Sequence, residues 1–170
     1  MVTIAQTNGG TATDFNGVPQ KGVNLTTAFA GDSVTSATFY LSGSGQTGTI
    51  SCAVISADGT NLGSLGSLDA STLAGSFTAY TFNTTSVAID SSDQPCLMMV
   101  VPSTAGGTQF EYSASGSPQT TYSLRYATTI GGVPQSPGTA NYPKFSADIS
   151  AVVPSSGGTR LPPPPIVVHF

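Results

Sequence analysis

The stretch "VTSATFYLSGSGQTGTISCAVIS" (residues 34–56) decides the fold. In its first half Ala37, Phe39 and Leu41 alternate with Thr38, Tyr40 and Ser42. In its second half Ile50, Cys52 and Val54 alternate with Thr49, Ser51 and Ala53. A period of two sends one set of side chains into a core and the other into water, which is the pattern of a half-buried β-strand. Between the halves, "SGSGQTG" (42–48) has the composition of a turn. Just beyond, "ADGTNLG" (57–63) carries Asp58-Gly59, a strong tight-turn signal.

Outward from this hairpin the same grammar continues. "SFTAYTFN" (76–83) and "SVAID" (86–90) read as strands, and "GSLDASTLAGS" (66–76) as a less regular crossing between sheets. "PCLMMVV" (95–101) is apolar at every position after the proline, as expected of a strand covered on both faces. "TQFEYSA" (108–114) and "TTYSLRYA" (120–127) alternate again. A long Gly/Pro segment (128–143) precedes the last strand, "KFSADISAV" (144–152). No window longer than about ten residues has apolar residues at helical spacing. The prediction is an all-β fold, a two-sheet antiparallel β-sandwich over residues 23–152. Residues 1–22, polar and interrupted by Gly9, Gly10, Gly17 and Pro19, read as an extended N-terminal arm. Residues 153–170 read as a Pro-rich C-terminal tail.

Composition narrows the function. Only 7% of residues are charged, against about 25% in an ordinary domain, so Ser, Thr, Asn, Gln and Gly must supply the surface. The net charge is −4, and Lys21, Arg125, Lys144 and Arg160 are scattered. Phosphate recognition needs a basic patch, so nucleic acid is not an expected partner, and a polybasic membrane contact is not expected either. "MVTIAQTNGG" (1–10) lacks the basic and apolar regions of a signal peptide, and no apolar run approaches the ~20 residues of a membrane span. An extracellular-looking composition without an export signal fits a mature fragment with an added Met, export by a route the sequence does not show, or a particle assembled in a host cytoplasm and released by lysis.

Chemistry-bearing residues are few. His169 is the one histidine, and it sits in the tail, a poor place to preorganise a general base, so no nucleophilic triad is expected. Among the acids, Glu111 and Asp148 fall on predicted strands that could meet, but nothing in their spacing makes them a glycosidase pair. "IDSSDQ" (89–94) gathers oxygen donors without an EF-hand pattern and reads as a turn. No glycine-rich stretch has the phosphate-loop pattern. Cys52 and Cys96 lie on different predicted strands, either as buried free thiols or as an inter-strand disulfide; neither has metal or redox spacing. The expectation is a non-enzyme without cofactor or metal.

The run "FAGDSVTSATFYLSGSGQTGTISCAVISADGTNLGSL" (29–65) resembles the opening of small jelly-roll domains of phage structural proteins and of carbohydrate-binding-module-like sandwiches. The likeness continues through "FTAYTF" (77–82), "PCLMMVV" and "FSADIS" (145–150), over about residues 24–152. It lies in strand order and turn placement. It implies a jelly roll and a virion structural role in capsid decoration, or alternatively in a tail or fibre. Partners would be other virion proteins and further copies of the chain. The sugar-binding members imply a second possibility, a carbohydrate-binding module or adhesin meeting a host surface glycan. Such binders commonly use exposed Trp, and this chain has none. Tyr40, Tyr80, Tyr112 and Tyr122 would have to form the platform.

The tail, "PSSGGTRLPPPPIVVHF" (154–170), carries the partner-binding candidates. Pro162, Pro163, Pro164 and Pro165 impose polyproline II, so residues 160–170 reach roughly 30 Å. Ile166, Val167, Val168 and Phe170 then form a β-branched and aromatic cluster that can add as a strand to a sheet edge or seat in a groove. Fully burying each is worth about 1.5–3 kcal/mol before ordering costs. The cluster either docks on another subunit or folds back on its own sandwich.

Overall fold

The computed structural model describes residues 1–7, 9–25, 32–90, 94–113, 124–136 and 142–151. Its strands, in chain order, are β1 (Val2–Gln6), β2 (Thr11–Asp14), β3 (Gln20–Asn24), β4 (Asp32–Ser42), β5 (Thr49–Ile55), β6 (Asn61–Asp69) and β7 (Thr78–Phe82). They continue with β8 (Val87–Ile89), β9 (Cys96–Val100), β10 (Gln109–Ser113), β11 (Leu124–Ala127), β12 (Tyr142–Pro143) and β13 (Phe145–Ala151). The first sheet runs β1-β13-β4-β10-β12, with β2 joined to β10 and with β7 and β8 joined to β4. The second sheet runs β11-β3-β9-β5-β6. Every pairing among these strands is antiparallel. From β3 to β10 the chain repeatedly changes sheet, and the two antiparallel sheets pack as a β-sandwich.

The alternation of residues 34–56 produces the core. Val34, Ala37, Phe39 and Leu41 of β4 are fully buried and meet Ile50, Cys52 and Val54 of β5 in one cluster between the sheets. Aromatic rings fill the middle of the first sheet's inner face. Phe39 lies edge-on to Phe110 at 5.7 Å and stacks on Phe145 at 6.2 Å between centroids. Strand β9 is covered on both sides, as its apolar run predicts. Leu97 and Met99 enter the main core, while Cys96 and Met98 form a second small cluster with Ala53 and Ile55 on the opposite face. The 128–134 turn also lies over that face. The Gln20 amide, turned to satisfy both neighbours, donates to the Thr129 carbonyl at 3.2 Å and accepts from Gly131 N at 3.3 Å. Val133 N would lie 3.2 Å from a Cβ placed on Gly59.

The first 22 residues differ from the predicted arm. They supply β1, β2 and the start of β3, which are zipped to β13, β10 and β9. The physical reason is visible in "VTIAQ". Ile4 and Gln6 turn into the core while Thr3 and Ala5 face outward, a period-two strand too short and too polar to stand out. The intended boundary at residue 23 therefore falls inside β3. Tail residues 153–170, with every partner-binding candidate named in them, lie outside the described residues.

Candidate functional site

Period-two alternation assigns each side of the first sheet. The inner side carries Phe39, Phe145 and Phe110. The outer side carries a field of small hydroxyls with one charged cluster at its centre. Thr38 and Thr81, opposite each other, share a 2.7 Å hydroxyl contact. Thr3 and Ser36, on the two strands flanking β13, both donate to the Asp148 carboxylate, at 2.6 and 2.8 Å. Asp148 stands where β13 slips one residue against β4, and Thr35, the extra residue, donates through its hydroxyl to the Asp148 carbonyl at 3.1 Å. One carboxylate thus ties together β1, β13 and β4.

These hydrogen bonds from Thr3 and Ser36 hold the Asp148 carboxyl below its ordinary value. A depressed folded-state value means that the stabilisation is present above the unfolded pKa of about 3.9 and is lost as pH falls through the lower folded value. Asp148→Asn is therefore expected to lower the melting temperature at neutral pH and to flatten the acid limb below about pH 4. Urea melts across pH 2–7 check this, and parallel pH profiles for the two proteins would contradict it.

The charged cluster sits where β10 and β13 part. Lys144 Nζ lies 4.0 Å from the centroid of the Tyr40 ring and 3.1 Å from Glu111 Oε2. Lys144 N also donates to the Glu111 carbonyl at 3.0 Å. Gly9 closes over the pair: a Cβ there would overlap Glu111 Oε1. The pair's side chains are 23% and 11% exposed, so desolvation offsets much of its attraction, and the cation on the ring contributes about 0.5–2 kcal/mol. Its consequence for binding is larger, because Lys144 occupies a face of Tyr40.

Of the four tyrosines expected to form a glycan platform, the three among the described residues, Tyr40, Tyr80 and Tyr112, are not brought together. Tyr40 faces outward beneath Lys144. Tyr80 stands opposite Phe39 in the register, on the inner side, and packs against the core; its hydroxyl accepts from Ala74 N at 2.7 Å and donates to the Thr72 carbonyl at 3.3 Å. Tyr112 follows buried Phe110 by two residues on the same side. Tyr122 lies outside the described residues.

The acids are tied to local structure. Asp58 accepts from Ser56 and Thr60 in its hairpin, and Asp69 caps the turn at 70–72 through Ser71 N. These hydrogen bonds depress both carboxyls. Glu111 and Asp148 share the outer face, but Lys144 and Asp148 are separated by roughly 13 Å of strand at ~3.3 Å per residue. Different partners hold the two carboxylates, with no shared cleft between them. Asp93 and His169 fall outside the described residues. Cys52 and Cys96 are free and buried on opposite faces of the second sheet. Burial raises the Cys52 thiol, and it pushes Cys96 up to about 11 against the opposing pull of Arg125.

Sheet edges are the remaining features of the site, and sequence reading alone did not reveal them. At β2, the Lys21 ammonium donates to the Asp14 carbonyl and to Thr13 Oγ1 at 2.9 Å, covering that edge. Burial lowers the Lys21 pKa, and Asp14 opposes the shift. At β11, Gln135 pairs its backbone with Tyr126. At β6, Thr84 N donates to the Leu65 carbonyl at 2.7 Å and Thr85 Oγ1 donates to the Ser64 carbonyl. Bulges at Gly63 and Gly66 bring β6 against β8, where a Cβ on Gly63 would stand 2.9 Å from Val87 Cγ2. Strands β7 and β8 are closed by that same approach of β6. Among the described strands, β1 and β12 end the first sheet; β12 is two residues long and includes Pro143, which cannot donate to a ladder, whereas no described residue covers β1.

No family model, no curated protein and no solved structure matches the chain.

Proposed function

We propose that the chain is a virion structural protein, a phage capsid decoration protein whose sandwich is displayed on the particle and whose C-terminal segment fastens it to neighbouring subunits. The observation that carries the reading is the sequence of that segment. A Ser/Gly link is followed by Pro162, Pro163, Pro164 and Pro165 and then by Ile166, Val167, Val168 and Phe170. A stiff spacer lowers the entropy lost on docking, and an apolar β-prone cluster supplies a contact that multiplies across many copies. The site geometry supports the same reading. Asp58, Asp69, Glu111, Asp148, Tyr40 and Tyr80 are engaged in holding strands and turns, and the outer face offers hydroxyls.

Deletion of residues 161–170 is expected to leave the sandwich folded, with its melting temperature within a few degrees, and to reduce incorporation into the particle at least tenfold. Mixing tagged full-length and truncated chains during assembly, then counting each in purified particles, measures this. Equal incorporation would overturn the proposal. Tight binding of a glycan by the truncated chain would replace it with the carbohydrate-module reading.

A further inference from the structure

We propose that the exposed edge of β1 is the docking site for residues Ile166 to Phe170 of a second copy of this chain, added to the first sheet as a further strand. The inference rests on the anchoring role proposed above and names the surface that the anchor meets.

The argument begins with what soluble β-proteins do to their edges. A flat, uncharged, unprotected edge invites another strand, so native edges are blocked by charges, bulges, prolines or covering loops. Here the β2, β6, β7/β8 and β11 edges each have such a device: the Lys21 ammonium, the Thr84–Thr85 cover with two bulges, the approach of β6, and the Gln135 backbone. Strand β1 has none. Its five residues, Val-Thr-Ile-Ala-Gln, contain no charge, proline or glycine, and its pairing with β13 is regular throughout. Val2 is 57% exposed at its start. At its other end Gln6 is buried on the inward row, beside Ile4.

The sequence of the tail fits that edge in its alternation and in where pairing can begin. Prolines have no N–H and cannot extend a ladder, so pairing must begin after Pro165. Ile166, Val167, Val168, His169 and Phe170 follow, each with an N–H to offer. Alternation puts Ile166, Val168 and Phe170 on one face and Val167 and His169 on the other. The first set continues the inward row of Ile4 and Gln6. The second continues the outward row of Thr3 and Ala5. An added strand of this kind takes its affinity from main-chain hydrogen bonds and its register from the buried side chains.

The test uses full-length chains. The added strand runs antiparallel to β1, like every other pairing in the sheet, which sets Val167 opposite Ala5; one chain carries Ala5→Cys and a mass tag, the other Val167→Cys. Cross-strand Cβ atoms about 5 Å apart can close a disulfide with small adjustment, and native Cys52 and Cys96 are buried. Oxidising the mixture is expected to give the mixed dimer at least tenfold above a control pair of Thr81→Cys and Val167→Cys. Monomers alone, or equal yields for both pairs, would overturn the proposal. So would an Ala5→Cys homodimer outcompeting the mixed one, which means pairing of two β1 edges. A chain bearing both cysteines that closes on itself as a monomer would equally overturn it, by returning the tail to its own sandwich. The two levels fail separately. Loss of incorporation on tail deletion without the mixed dimer removes the β1 site and keeps the anchoring role; the mixed dimer with normal incorporation of the deleted chain does the reverse.

Discussion

Gly22→Ala is expected to destabilise the sandwich by about 3 kcal/mol or more, at the upper end of overpacking effects, enough to leave a domain of ordinary stability partly unfolded. Gly22 lies in β3 between Arg125 of β11 and Met98 of β9. A Cβ on it would overlap the Leu97 carbonyl oxygen and come within 2.8 Å of Met98 Cα. Those are backbone atoms in the middle of a five-strand sheet, so no side chain can swing aside. The backbone torsions at Gly22 are not of the kind reserved for glycine, so the requirement is for space alone. Gly75 supplies the control, because a Cβ there meets nothing within 4 Å. Gly75→Ala is expected to be neutral or to stabilise by up to about 1 kcal/mol through the unfolded state. Urea denaturation of both variants decides the matter. A Gly22→Ala protein within about 1 kcal/mol of the parent would mean that β3 and β9 do not approach as described.

The contrast shows what a sequence can and cannot disclose about this fold. Strands β4, β5 and β9 were legible because their patterns are long or unbroken, and a two-sheet sandwich follows from them. Asp58-Gly59 was legible because a tight turn is a local event: Asp58 bonds residues two positions away on either side. Gly22 reads in the sequence as one glycine among many, and its role depends on a strand that arrives much later in the chain. The same holds for β1. "VTIAQ" has the right alternation, but only the sheet reveals that β13 and Asp148 hold it in place. The Tyr40 surface was misleading for a related reason. Alternation correctly turns Tyr40 outward, but the ammonium on its ring comes from Lys144, and no local pattern links the two. Tyr80 and Tyr112 were grouped with Tyr40 as aromatics. Register separates them, because residues paired across antiparallel strands share a face, and Tyr80 is paired with Phe39.

Register also sets the second large effect. Phe39→Ala is expected to cost about 3–5 kcal/mol, whereas Tyr40→Ala, one residue on, should cost about 1 kcal/mol. Phe39 is fully buried, with Tyr80 opposite it on one flank and Phe145 on the other, and its ring meets both Phe110 and Phe145. Truncation would leave a ring-sized void lined by side chains that belong to separate strands and cannot all close inward at once. Tyr40 gives up only its contact with Lys144 and some half-exposed area. Equilibrium unfolding of the pair therefore measures which side of β4 faces the core, and a larger loss at Tyr40 would reverse the two faces of the first sheet. It would also reverse the rows of β1, because Phe145 pairs with both Phe39 and Gln6, so that Gln6 shares the side of Phe39. The side on which an added strand buries Ile166, Val168 and Phe170 thus follows from the same measurement. Phe39 reports on it through the core, independently of any docking experiment.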